Sequence, residues 1–473
     1  MFGLDITMTF ILFGCILAAI AFEFINGFND TANAVATVIY TRSLKPRAAV
    51  ILAGIMNFLG VYFGGIAVAI VIINLLPFEV LLDQDVYHNV AMISALILTA
   101  IIWNLTTWYF GIPNSSSHTL IGSIFGVGVA FMFLSGSDGV ALNWTKVIEC
   151  LLALLISPII GFGLTYVVMH IFRKTVKKKK FFKQVDPEKK PPFMIRLMLV
   201  ATCTTVSYSH GSNDGQKGVG LIMIILIGIL PNHFAIDSSK NPANMIGNVN
   251  HIECYINKTD TTKINAIDLA GYADLKENII NLKSDLIVLQ KPDATNALDK
   301  FKIRREILVI KKRVNEFLKS TSVVKNNALV LDGKELKGLK SDLREMDAYT
   351  EYAPWWVILM VSIAIGLGSM VGWKRIATTL GEKIGKNPMS YAQGGSAQIV
   401  ATATIMSSSV IGMPVSTTHV LSSGIAGSMV YTGGIKNLQV KTIKNIALCW
   451  IITIPVTVTM SGSMFLLFRY LIG

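Results

Sequence analysis

The sequence predicts an all-α polytopic membrane protein built as an inverted repeat, with broken helices, two re-entrant hairpins and an extramembrane helical insertion. Three observations carry this expectation. The 473 residues are 52% hydrophobic and only 15% charged, with a mean hydropathy of +0.56. That balance excludes an ordinary soluble enzyme and suits a chain whose solvent is lipid. Two pairs of short motifs recur in the two halves. Half of all the charge is confined to one block, 231–352.

Apolar runs near 7–25, 48–76, 89–111, 146–172, 193–209, 353–373, 395–411 and 446–472 are candidates to cross a bilayer, which takes about 20 residues of helix. The glycine-rich stretches 113–134, 213–230 and 413–431 are apolar but shorter or interrupted. The expectation is eight secure spans and three or four broken ones. The first run lacks a basic flank and a small-residue cleavage site, so no cleavable signal peptide is expected. Cys15, Cys150, Cys203, Cys254 and Cys449 are scattered and form no disulfide or metal-binding pattern.

The net charge of +13 does not point to nucleic acid, because of where it lies. Its densest run, "RKTVKKKKFFKQVDPEKK" at 173–190, directly follows an apolar span, the place of a positive-inside topology signal. Basic loops at Arg42–Arg47, Lys374–Lys386 and Lys436–Lys444 contrast with the acidic loop 77–88, which carries Glu79, Asp83 and Asp85. With basic loops cytoplasmic, the N-terminus starts outside and Arg173–Lys190 lies inside. The second half then begins inside and ends outside, so the halves are inverted.

Residues 231–352 hold 19 Lys/Arg and 17 Asp/Glu, too many for hydrocarbon. Leu275, Ile279, Leu282, Leu286 and Leu289 recur at helical spacing, as do Ile303, Ile307, Ile310, Val314 and Phe317, with "KPDAT" between them. This predicts an antiparallel two-helix hairpin with a short amphipathic stretch around Leu336–Met346. A cap or dimer contact is the plain role; a regulatory or partner domain is the sharper one. The topology places it in the periplasm.

The duplication is explicit. "GFNDTANAVA" at Gly27–Ala36 is matched by "GSNDGQKGVG" at Gly211–Gly220, an offset of 184. "GIPNSSSHTLIGSIFG" at Gly111–Gly126 is matched by "GMPVSTTHVLSSGIAG" at Gly412–Gly427, with an offset of 301 between the prolines, Pro113 and Pro414. Removing an insertion of about the length of 231–352 brings both pairs into one register. The chain therefore divides into a first membrane repeat 1–192, the start of a second at 193–230, the insertion 231–352, and the rest of the second repeat at 353–473. Such repeats are the common construction of secondary transporters, with the site near the midplane between the halves.

Polar residues inside a span predict a broken helix lining a wet cavity, and a carboxylate there predicts function. Asp30 and Asn33 lie three apart, on one helical face, and offer two oxygens to a small cation. Asn213-Asp214 repeats the motif. A proline followed by hydroxyl residues (Ser115, Ser116, Ser117; Ser416, Thr417, Thr418) predicts a hairpin tip entering on a helix N-terminus, with the proline in the first helical turn. Free N–H groups and hydroxyls make such a tip an anion site. His118 and His419 sit beside these clusters, as titratable groups or as packing residues.

The membrane portion resembles the inorganic phosphate transporter (PiT) family, in the stretches "EFINGFNDTANAVATVIYTR", "WYFGIPNSSSHTLIG" and "HGSNDGQKGVGL". The likeness to its bacterial low-affinity branch covers nearly everything outside 231–352. It implies an inner-membrane phosphate symporter without cofactor and a scaffold that forms a homodimer. It maps phosphate and cation ligands to Asn29, Asp30, Asn33, Ser115, Ser116 and Ser117, and to Asn213, Asp214, Ser416, Thr417 and Thr418. One departure matters. Where the first copy has Asn33, the second has Lys217, whose ammonium fills the place of a bound cation with a fixed charge. Symmetrical two-sodium coupling is thereby disfavoured, and proton coupling is favoured. The same branch carries phosphate complexed to divalent metal. The rivals are a permease for another tetrahedral oxyanion such as sulfate, sodium-coupled phosphate symport, a channel, and a membrane-embedded enzyme, for which no nucleophile–base pair is visible.

Overall fold

The computed structural model describes residues 4–76, 86–135, 144–185, 189–237, 239–290 and 300–472. Glu79, Asp83 and Asp85 and the "KPDAT" link lie outside the described residues. Within them the chain is nearly all helical, its only β-pairing being two isolated bridges, Gln184 with Ser390 and Gly385 with Leu438. Two compact units are distinguished. One comprises the chain up to Ile229 and from Ala353 onward, and the other is Leu230–Tyr352.

The first unit begins with α1 (Ile6–Tyr40), capped by the Asp5 carboxylate accepting from Met8 N at 2.7 Å. There follow α2 (Pro46–Phe63), α3 (Ala67–Ile73), α4 (Val86–Tyr109), α5 (Ser116–Ser135) and α6 (Trp144–Thr175). Next, α7 (Phe193–His210) runs through a π-helical turn, Gly211–Gly215, into α8 (Gln216–Ile229).

The second unit holds α9 (Pro242–Ile256), α10 (Ala266–Leu289), α11 (Lys300–Lys319) and α12 (Gly333–Thr350). Helices α10 and α11 pack together around Leu275, Ile279, Leu282, Ile303, Ile307 and Ile310. The short amphipathic stretch is the capped 18-residue helix α12. Helix α9 adds to the expected hairpin, placing Met245, Val249, Ile252 and Ile256 in the same core. The chain enters and leaves this unit at one point. Buried Arg304 donates to Ala235 O at 2.9 Å and Thr350 O at 2.7 Å, and Tyr352 Oη donates to Phe234 O at 3.1 Å. Burial lowers the Arg304 pKa to about 10, which leaves it charged.

The first unit resumes with α13 (Trp355–Gly368), a short helical stretch over Lys374–Lys383, then α14 (Tyr391–Ile411), α15 (Thr417–Gly433) and α16 (Val440–Ile472). Among the described residues six helices are long and apolar enough to cross a bilayer: Ile6–Tyr40, Pro46–Phe63, Val86–Tyr109, Ser116–Leu134, Trp144–Thr175 and Val440–Ile472. Leu155 and Ile159 of α6 and Ile451 and Leu467 of α16 face outward, as lipid-facing residues should.

Packing is reciprocal between the halves. Helix α5 lies on α16 while α15 lies on α6, and α1 lies on α13 while α7 lies on α2. The motif glycines explain the last pair. A Cβ on Gly27 would stand 2.5 Å from Ile365 O, and one on Gly211 would stand 2.2 Å from Asn57 O. Only a bare α-carbon lets these backbones meet.

The expected break at the first Asn-Asp motif is corrected. Helix α1 runs 35 residues straight through Asn29 and Asp30, and at the second motif the helix widens by one π-turn without ending. Side chains that find partners sideways leave the backbone ladder intact, so no break is needed. The breaks fall elsewhere, between α2 and α3 and after α13, where Gly65 (φ 81°) and Gly372 (φ 69°) adopt left-handed backbone.

Candidate functional site

Two turns of identical design aim α5 and α15 inward. Helix α4 ends before Gly111 (φ 66°) and α14 before Gly412 (φ 81°), positive values that glycine adopts without strain. Pro113 and Pro414 follow, two residues ahead of the caps and outside the helices, which corrects the expected place in the first turn. Ser115 then caps α5, accepting from His118 N at 3.1 Å, and Ser416 caps α15, accepting from His419 N at 3.1 Å. Those two serines are therefore engaged locally, and the next two hydroxyls of each tip are presented to the motif helices.

The four presented hydroxyls meet both motifs in one buried cluster. Ser116 Oγ donates to Asp30 Oδ2 at 3.0 Å, and Thr417 Oγ1 donates to Asp214 Oδ2 at 2.9 Å. The third hydroxyls cross to the opposite half. Thr418 Oγ1 donates to Asp30 Oδ1 at 2.5 Å and accepts from Asn33 Nδ2 at 3.0 Å, while Ser117 Oγ accepts from Lys217 Nζ at 2.5 Å. Asn33 Nδ2 also reaches Asp30 Oδ1 at 3.3 Å, as their spacing predicts. The ammonium of Lys217 completes its shell with Asp214 Oδ1 and with Val415 O at 3.0 Å. Asp214 is 0% exposed, Lys217 2% and Asp30 3%.

Asn29 and Asn213 point away from the carboxylates. Asn29 Nδ2 bonds Asn104 O at 3.4 Å, and Asn213 Nδ2 bonds Ser409 Oγ at 3.2 Å and Met413 O at 3.3 Å. Each keeps a buried Oδ1 without a protein partner. His118 and His419 pack together at a tilt of 43°, ring centroids 4.3 Å apart, and His419 also lies 3.9 Å from the Trp450 ring.

Sequence reasoning missed His210, which bridges the two motifs. Its Nε2 stands 3.2 Å from Asp214 Oδ2 and 3.6 Å from Asp30 Oδ2. Its Nδ1 is 2.9 Å from Asn57 Oδ1, while Asn57 Nδ2 donates to Ser369 Oγ at 2.7 Å. With Nδ1 donating to that carbonyl, the ring meets both carboxylates with an N–H only as imidazolium. Asp30, Asp214, His210 and Lys217 then sum to zero charge. With the ring neutral and Nε2 bare instead, Asp30, His210 and Asp214 present three ligand atoms within 4.8 Å of one another, a nitrogen and two carboxylates that suit a divalent cation.

An apolar helical shell, reciprocal glycine-packed halves and a sealed cluster of opposed charges define a membrane transporter. The chain belongs to the phosphate transporter family, whose model matches residues 26–461. It is 40% identical to the low-affinity inorganic phosphate transporter PitA of Escherichia coli K12, covering 98% of this chain and 97% of that one. It is also 40% identical to the low-affinity inorganic phosphate transporter of Buchnera aphidicola from Acyrthosiphon pisum (99% and 98% covered). A probable low-affinity inorganic phosphate transporter of Bacillus subtilis is 29% identical (94% of each). Among solved structures, a sodium-dependent phosphate transporter shares the fold with a TM-score of 0.54 at 19% identity, over 97% of this chain and 99% of that one. The protein is thus a multi-pass inner-membrane phosphate transporter and not an enzyme.

Proposed function

We propose that the chain takes up phosphate by secondary active symport coupled to protons, with phosphate entering free or as its complex with a divalent metal. The observation that supports this reading is the convergence of both Asn-Asp motifs and both hydroxyl tips in one cluster. Ser116, Thr417 and Thr418 turn from the carboxylates, and Ser117 from the Val415 carbonyl, to the anion when it enters, with Ser115, Ser416, Asn29 and Asn213 around them. The N-termini of α5 and α15 add backbone N–H groups and the positive ends of two helix dipoles. Phosphate keeps a proton near neutral pH and donates it in a hydrogen bond to Asp30 or Asp214, whereas sulfate only accepts.

The coupling argument rests on asymmetry. Asp30 and Asn33, with Thr418, leave a set of oxygens in the first half. In the second, Lys217 already takes the oxygens of Asp214, Ser117 and Val415, the set a sodium ion would use. A half-site filled by a fixed charge argues against two-sodium coupling. A metal travelling with phosphate would find ligand atoms on Asp30, Asp214 and, once its ring is neutral, His210. The reciprocal packing supports an inverted repeat whose halves rock about the cluster.

The test is phosphate uptake into proteoliposomes, with proton, sodium and magnesium gradients imposed one at a time and sulfate as competitor. An inward proton gradient should drive accumulation, sodium should not, and sulfate should not compete. Accumulation driven by sodium alone refutes the reading.

A further inference from the structure

One ionisable group in the membrane unit has no part in the cluster as described. Glu23 lies on α1, seven residues before Asp30 and two turns away on the same face, and it is fully buried. Asn26 Nδ2 donates to its Oε2 at 3.3 Å, whereas its Oε1 has no hydrogen-bond partner. The room for this carboxyl is provided by the other half. A Cβ on Gly218 would stand 2.4 Å from Glu23 Cδ and 2.5 Å from Oε1, so the residue after Lys217 must be glycine for Glu23 to sit there.

The charged groups facing Glu23 are Asp214, Lys217 and His210 on the α7–α8 segment, while Asp30 lies two turns further along its own helix. Neither cation donates a hydrogen bond to Glu23, whose one donor is Asn26. The Lys217 ammonium is shared among Asp214, Ser117 and Val415, and His210 is held between Asn57 and the two aspartates. With those four groups neutral in sum, an ionised Glu23 is a surplus negative charge in a dry interior with one amide donor. A proton on Oε1 removes it.

We propose that Glu23 is the site at which the coupling proton binds and from which it is released. The inference rests on the proton-symport reading above. The step is the making and breaking of one O–H bond: the carboxylate takes a proton from the side to which the cluster opens and returns it on the other. Coupling follows from charge. A phosphate monoanion entering the cluster meets a neutral set when Glu23 is protonated and a net negative one when it is not. Each ligand therefore raises the affinity for the other, reciprocally.

The test compares Glu23→Gln and Glu23→Asp with the parent protein in proteoliposomes, using radiolabelled inorganic phosphate in two assays. One is net uptake driven by an imposed pH gradient; the other is phosphate–phosphate exchange at equal pH, which needs no net proton movement. In Glu23→Gln, gradient-driven uptake should fall at least about tenfold, and apparent phosphate affinity should lose its pH dependence. Exchange should persist, and Glu23→Asp should recover gradient-driven uptake in part. Gradient-driven uptake retained in Glu23→Gln overturns the proposal, and so does loss of exchange in both variants, which would mark a structural role. A parent protein driven by sodium and indifferent to pH would instead remove the proton-symport reading itself.

Discussion

Replacing Lys217 by Asn is the sharpest perturbation of the cluster, because it restores the residue of the first half and removes the fixed cation. The ammonium is held by Asp214 Oδ1, by Ser117 Oγ at 2.5 Å and by Val415 O at 3.0 Å, in surroundings with 2% exposure. Removing one member of a buried ion pair costs about 3–5 kcal/mol, most of it the penalty of the charge left behind. Asp214 Oδ1, Ser117 Oγ and Val415 O then form a three-oxygen vacancy for sodium. If sodium recovers that loss, its apparent dissociation constant falls at about 0.2–6 mM. Proteoliposomes carrying Lys217→Asn should lose sodium-independent uptake and regain part of it as sodium is titrated through the low millimolar range. A variant that keeps its proton dependence, shows a raised KM and gains no sodium response refutes the cation-substitute argument; Lys217 would then only attract anions.

Three further outcomes are expected. Ser116→Ala and Thr417→Ala should each weaken phosphate transport about tenfold or more, one charge-assisted hydrogen bond being worth about 1.5–3 kcal/mol; unchanged uptake kinetics in both would remove these hydroxyls from the site. Deleting about 245–345 and closing the gap with a short Gly/Ser bridge should leave uptake measurable in correctly inserted protein, since 230–352 is a compact unit of its own; an inserted, folded but inert product would tie it to transport. Burial, then the neighbouring Asp285, pushes the Glu306 carboxyl up to about 7. The folded state therefore binds this proton more tightly than the unfolded chain, and the stabilisation is lost as pH rises from about 5 through 7. Hydrogen exchange along α11, corrected for intrinsic rate, should be better protected at the acid end, and Glu306→Gln should flatten the difference.

What sequence reasoning recovered and what it missed share one cause. Asp30, Asn33, Asp214, Lys217 and the hydroxyl tips stand out because hydrocarbon gives polar side chains no other use, and the duplication marks each twice. Pattern alone does not say whether a polar residue breaks a helix or bonds across to a neighbour. Asp30 and Asn33 do the latter, so α1 stays whole. His210 and Glu23 have no twin at the matching place in the other half, and repetition could not flag them. Their signal was spacing, with His210 one turn before Asp214 and Glu23 two turns before Asp30. Helix α9 was legible in Met245, Val249, Ile252 and Ile256, spaced four, three and four apart, but its few charges hid it within a charged block.

The Arg304 clasp has a mechanical consequence. It joins the backbone at Ala235 to the backbone at Thr350, only six residues beyond Ile229 of α8 and five short of Trp355 of α13. More than a hundred residues of intervening chain are thereby reduced to a staple with two short legs. Helices α8 and α13 cannot be drawn apart by more than those legs allow, about 3.5 Å per residue at full stretch. The facing ends of the two helices therefore stay within about 45 Å of each other however the protein changes shape. A long, slack linker in place of the staple would lift that limit.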